Sequence, residues 1–216
     1  MSSSAAAAPI LHLTSSIQIH APLDAVWSAL TDTTTWPDWN RFVPAVTIRE
    51  QPSPSPTKPP AAAAPAAATL QTGTRMTFHV NMHPAAASTA PQSLRHVDNH
   101  VGLRVTESTP PATPPTRRAR ITWANDTTFQ GRVLAALLSA ERVHELVERE
   151  VVDGSSGCTR VVTEVTNWEV QAGYLAYVVK WMYGSRLEEN FRCWVEDLKG
   201  FVEGQQQQTE MGGVVA

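Results

Sequence analysis

Ionisable and apolar residues interleave over 142–153. Val143, Glu145, Val147, Arg149 and Val151 share one parity, and His144, Leu146, Glu148 and Val152 the other. Residues of one parity share a strand face, so whichever face turns inward carries ionisable groups among apolar ones. Glu145 with Arg149, or His144 with Glu148, would then serve as acid and base on a carbonyl substrate. The same residues at a solvated edge form an ordinary surface ion pair, and the pattern leaves both readings open. Asn125, Asp126 and Glu164 are weaker candidates of the same kind. A second group is His79, His83, His96 and His100. An antiparallel register that sets His79 opposite His100 also sets His83 opposite His96. Opposed side chains have Cβ atoms about 4.5–5.5 Å apart, within reach of a shared metal ion. Two nitrogens alone lack the usual third and fourth ligands, so the expectation is an outward-facing polar stripe with no metal and no cofactor. Ser-His-Asp spacing, a glycine-rich phosphate loop and HExxH do not occur. Hydrolase, kinase and zincin chemistry therefore have nothing to rest on.

The elements that must position these residues follow from periodicity. Leu11, Leu13, Ser15, Ile17 and Ile19 alternate with polar neighbours, the period of a half-buried strand. After Pro22 the spacing becomes helical at Val26, Trp27 and Leu30, and a second turn holds Trp36, Trp39 and Phe42. Strands are predicted over 43–50, 74–82, 97–107, 118–124, 142–153 and 158–170, with a tight turn at 154–157. A helical cap is predicted over 127–141, where Phe129, Val133, Leu134, Leu137 and Leu138 fall at helical spacing. From 173 to 203 apolar residues from Tyr174 to Val202 form a stripe about eight turns long, one amphipathic helix. The Pro- and Ala-rich stretch 51–69 reads as a disordered surface insertion, residues 1–10 as a flexible N-terminus and 204–216 as a disordered tail. Residues 11–203 make one domain, of the α+β class. A curved antiparallel sheet of seven strands wraps around the long C-terminal helix, with two short helices after the first strand, because the inner sheet face and the helix stripe must cover each other.

Composition narrows the partners. The 216 residues carry a formal net charge of -3, which gives no overall basic field for nucleic acid or an anionic membrane surface. Two cysteines, Cys158 and Cys193, are too few for a disulfide framework. No stretch offers the apolar run of an integral membrane span, and the first residues lack a secretory or mitochondrial signature. The expected location is the cytosol; the oligomeric state is open.

The segment from Ala21 to Asp32, followed by Trp36-Pro37-Asp38-Trp39-Asn40, resembles the opening signature of the SRPBCC superfamily, which includes START domains, polyketide cyclases and coenzyme Q-binding proteins. Arg118 to Trp123, Gly157 to Val161 and Leu198 to Glu203 resemble its later segments. The resemblance spans about 11–203 and implies the helix-grip fold with an internal hydrophobic cavity. It does not imply a reaction, since one fold hosts many functions. Ligand-lining residues are then expected among Trp36, Trp39, Phe42, Met76, Phe78, Val80, Val105, Ile121, Trp123, Leu137, Tyr177 and Trp181, although the same side chains suit plain core packing. Three functions follow: a carrier for a small lipophilic molecule such as a lipid, quinone or polyketide-like metabolite; a cyclase or dehydratase acting on one; or a regulator that binds a partner in the same groove. The carrier predicts a wall apolar nearly throughout. The enzyme predicts at least two ionisable side chains converging in the cavity, one with a displaced pKa.

Overall fold

The computed structural model describes residues 9–52, 68–84, 97–113, 117–152, 157 and 159–212. Strand β1 (Leu11–Ile19) is followed by helices α1 (Leu23–Thr31) and α2 (Trp36–Trp39), strands β2 (Ala45–Glu50), β3 (Arg75–Val80), β4 (Asn99–Thr109) and β5 (Arg118–Asn125), and the short helices α3 (Thr127–Gln130) and α4 (Arg132–Leu137). Strands β6 (Ser139–Val152) and β7 (Thr159–Ala172) and helix α5 (Tyr174–Gly212) complete the chain. The seven strands form one antiparallel sheet in the order β1-β7-β6-β5-β4-β3-β2. The predicted α+β, helix-grip arrangement of a curved sheet against a long C-terminal helix is the one found.

The core is aromatic. Trp36, Trp39, Phe78, Trp123 and Trp194 are buried and meet largely edge to face, Trp36 and Trp194 at 4.9 Å between centroids. Such edge contacts stabilise beyond the area they bury. Helix α1 starts at Pro22 without a side-chain cap of its own. The Glu148 carboxylate of β6 takes that place by accepting from the Leu23 amide at 2.8 Å, which suits an anion to a helix N-terminus.

Four expectations change. The predicted cap over 127–141 is two helices broken at Gly131, whose φ is +79°, and it ends at Leu137, so β6 begins three residues before Arg142. Helix α5 continues past Glu203 to Gly212; glutamine is a competent helix former. The single stripe on that helix is two stripes. Trp181 and Leu187 are six residues apart, about 240° of rotation on an α-helix, so they lie about 120° apart around it and face different sides. Most of 51–69, residues 154–156 of the predicted turn and His96 lie outside the described residues.

The β3–β4 register pairs His79 with His100 as expected, their rings 4.9 Å apart. Thr47 Oγ1 lies 2.8 Å from His79 Nε2, and His83 Nδ1 lies 3.4 Å from Asp98.

Candidate functional site: a cavity between sheet, cap and helix

Where α5 leaves the sheet, a cavity of about 780 Å³ opens, within the range that holds a small organic ligand. Its floor is Phe42, Phe78, Val80 and Trp123. One side is Leu134, Leu138 and Phe129 of the cap; the other is Val179, Tyr183, Leu187 and Phe191 of α5. Two glycines set this geometry. Gly173, at φ +99°, turns the chain from β7 into α5 with Leu137 O only 2.4 Å from where a Cβ would stand. Gly102 lets the Phe129 ring lie directly on β4, since a Cβ there would fall 2.2 Å from Phe129 Cδ1. Asp126 anchors the cap by accepting from the Thr128 amide and hydroxyl at 3.1 and 2.6 Å and by pairing with Arg49 at 2.8 Å. Burial alone would raise the Asp126 carboxyl, but the Thr128 and Arg49 hydrogen bonds outweigh it and hold it below its ordinary range.

The cavity wall next to Phe191 is polar. Arg142 and Glu169 are register partners on β6 and β7, and both line the cavity with Gln171. The Arg142 side chain is buried. Its Nε donates to Asn167 Oδ1 at 2.9 Å, and its guanidinium lies 4.0 Å from the Phe191 ring centre and 4.3 Å from that of Trp194. Both are cation–π distances. Its Nη2 has no hydrogen-bond partner, nor do Asn167 Nδ2 and Gln171 Oε1. Burial lowers the guanidinium to about 10, and the nearby Glu169 opposes that drop, so the group remains a cation at neutral pH. Glu169 reaches the cavity yet is walled in by protein, and this burial raises its carboxyl pKa against the lowering influence of Arg142 and of the Gln171 hydrogen bond. His144, next on the same face, lies fully buried with its ring 4.6 Å from Trp123 and 5.5 Å from Trp194. Burial, then the Arg142 charge, hold it well below 6.5 and therefore neutral; neither ring nitrogen has a partner.

The sequence-predicted residues separate cleanly. Phe42, Phe78, Val80 and Trp123 line the cavity. Trp36, Trp39, Met76, Val105 and Ile121 are buried in the core beneath it. Leu137 is half-buried in the cap, its carbonyl against Gly173. Tyr177 and Trp181, expected inside, sit on the outer stripe of α5, and Trp181 is 86 % exposed. Of the acid–base candidates, His144 and Glu148 share the inner face, where Glu148 is engaged by the Leu23 amide and by Arg117 at 3.1 Å. Glu145 and Arg149 have the outward parity, and Arg149 pairs with Glu164 at 2.8 Å in solvent. Periodicity passed over Arg142, Glu169 and Gln171. The available signal was the inverted alternation of Asn167, Trp168, Glu169, Val170 and Gln171, in which the polar residues, not the apolar ones, share the inner parity.

The family described as polyketide cyclase / dehydrase and lipid transport matches residues 11–163. The chain belongs to this family. A relative of this chain, the "Oxopyrrolidines biosynthesis cluster protein O" of Penicillium oxalicum, is 42% identical over 191 residues, covering 88% of this chain and 86% of the relative. Among solved structures, the hypothetical protein jhp0584 of Helicobacter pylori is similar in fold, with a TM-score of 0.52 at 12% identity over 88% of this chain and 87% of that one. DynU16, a putative protein in the dynemicin biosynthetic locus, is similar at a TM-score of 0.45 and 14% identity, over 90% of this chain and 48% of that one. In this family member the matched region ends within β7, so α5 and its cavity-lining residues lie beyond it.

Proposed function

We propose that this protein binds a small lipophilic molecule bearing at least one polar oxygen, of the lipid, quinone or polyketide-like class, in the cavity between the sheet, the cap and α5. The observation that carries this is the pairing of an aromatic and aliphatic wall with one buried cation whose Nη2 lacks a partner. A charge desolvated this far costs several kcal/mol unless it is paired, and an acceptor oxygen on the ligand meets that need. Membership of a family that spans cyclases and lipid transport, and the biosynthesis-cluster relative, support a secondary metabolite over a structural lipid. The scarcity of cysteine supports a cytosolic setting.

A second reading, a cyclase or dehydratase, is favoured by the convergence of Arg142 and Glu169 on one wall with displaced pKa values. As a carboxylate, Glu169 would take a proton from a carbon flanked by carbonyls, with Arg142 holding the enolate oxygen. The enolate carbon then bonds to a second carbonyl carbon, and Glu169 returns the proton to the new alkoxide. Loss of water from that alcohol completes a dehydration. Such a positioned base contributes about 10²–10⁴-fold in rate.

Organic extraction of the purified protein followed by mass spectrometry tests the binding reading, together with uptake of an anionic naphthalene sulfonate probe. The wild type is expected to release an oxygenated lipophilic molecule and to bind the probe. Arg142→Met is expected to lose both while still unfolding cooperatively, at a lower melting temperature because the Asn167 Oδ1 acceptor and Glu169 lose their buried partner. Empty extracts with probe uptake unchanged in Arg142→Met would refute the role of the buried cation. Glu169→Gln that binds the extracted molecule but no longer converts it would favour the enzyme.

A further inference from the structure

The first turns of α5 expose aromatic residues where an amphipathic helix would turn them inward. Tyr174 and Tyr177 are 80 % and 62 % exposed, and Val178, Trp181 and Met182 are exposed beside them. These five occupy about 12 Å of helix at 1.5 Å per residue. Single exposed apolar residues are ordinary, but a contiguous patch of large ones marks an interaction surface. The cavity mouth adjoins it, since Phe129, Leu134 and Tyr183 are both exposed and cavity-lining.

Within the two segments that form this face the charges have one sign. Segments 127–140 and 170–187 contain no Asp or Glu, while Arg132, Lys180 and Arg186 are exposed within them. Acidic residues bound these segments at Asp126, Glu141 and Glu169 and, along α5, at Glu188 and Glu189; Asp126 is engaged by Arg49 and Thr128, and Asp98 across the mouth by the Met82 amide and His83. In a chain of net charge -3, a local basic rim selects an anionic partner. A two-fold pairing with a second copy would set the same patch against itself and bring Arg132, Lys180 and Arg186 near their own counterparts with no acid in these segments to offset them. Tyr and Trp flanked by Lys and Arg match the composition of the membrane–water boundary, where amphipathic rings sit at headgroup level and basic side chains reach lipid phosphates.

We infer that the outer face of the first turns of α5, with the rim of the cap, docks on an anionic phospholipid bilayer. The aromatic side chains enter the headgroup region, and Arg132, Lys180 and Arg186 meet the lipid charges. Among the described residues no helix is long and apolar enough to cross a membrane, so the helix lies in the interface plane. The mouth then opens beside the phase in which a lipophilic cargo is dissolved. This goes beyond the cavity reading, because vesicle binding needs no occupied cavity.

Co-sedimentation with phosphatidylcholine vesicles, with and without phosphatidylserine, tests it on the full chain. Wild type is expected to pellet with the phosphatidylserine vesicles and to remain largely in solution with phosphatidylcholine alone. Lys180→Glu and Arg186→Glu should each weaken binding by at least roughly fivefold, the effect of losing one basic contact, and Tyr177→Glu with Trp181→Glu should abolish it. All four positions are exposed, and unchanged thermal unfolding verifies that the variants fold. A wild type that stays in solution with both vesicle types overturns the inference. So does a concentration-dependent dimer that Trp181→Glu dissolves in the absence of any vesicle binding, which would give the face to a second copy.

Discussion

Helix α5 consists of two halves that use the same residue types for opposite ends. From Asn190 to Val202 its aromatic and aliphatic side chains are sunk in the core: Phe191, Trp194, Val195, Leu198 and Val202 are buried, and Trp194 alone touches the rings of Trp36, Trp39, Phe42, Phe78, Trp123 and His144. From Tyr174 to Arg186 only Ala176 is buried, and tyrosine and tryptophan stand in solvent. One helix thus serves as a structural post at one end and as an exposed wall of the cavity at the other. Residue type alone does not assign a role: position along the helix and angle around it do.

The largest expected effect separates the halves directly. Trp194→Ala should cost about 3–5 kcal/mol of unfolding free energy, as for other buried aromatic truncations, whereas Trp181→Ala should change it by less than about 0.5 kcal/mol. Urea denaturation of the two variants decides this. Equal costs would mean that the first half packs as tightly as the second. A smaller effect tests the joint that aims the first half. Gly173→Ala places a methyl group against Leu137 O at a positive φ, and strain of this kind costs about 1–3 kcal/mol. It should also reduce probe uptake, because α5 and the cap form facing walls of the cavity. Unaltered stability would show that this backbone position tolerates a side chain.

The smallest effect concerns His144, packed on Trp194. Its folded pKa lies below the unfolded value of 6.5, so between those two values the unfolded chain binds more protons than the native one. The contribution is fully present above 6.5 and is lost as pH falls below it, by up to about 1.4 kcal/mol per pH unit. His144→Gln should flatten that slope in denaturation series at neutral and mildly acidic pH. A slope identical to wild type would assign the acid sensitivity to other groups, His79 among them, which burial and then the His100 charge also lower.

Much of the fold was legible because alternation survives in most strands. The inner residues Met76, Phe78, Leu103, Val105, Ile121 and Trp123 could be placed by parity, and the His79–His100 pairing by register alone. The polar wall was hidden for the complementary reason. On β7 the inner positions Asn167, Glu169 and Gln171 are polar and the outer ones Trp168 and Val170 apolar, and Trp168 is occupied outside by the Arg120 guanidinium at 5.6 Å. A rule that sends apolar residues inward reverses such a strand. Tyr177 and Trp181 were misplaced by a different ambiguity, since apolar residues fall on two flanks of α5 and spacing alone does not identify the covered one.

The contact of Phe129 with Gly102 has a practical consequence. The ring that borders the cavity mouth rests on bare backbone, so the gauge of that doorway is fixed by a missing methyl group. Alanine at this position would force the ring to give way, and with it the clearance a guest must pass. A single carbon atom on β4 is thus a handle for retuning which molecules enter.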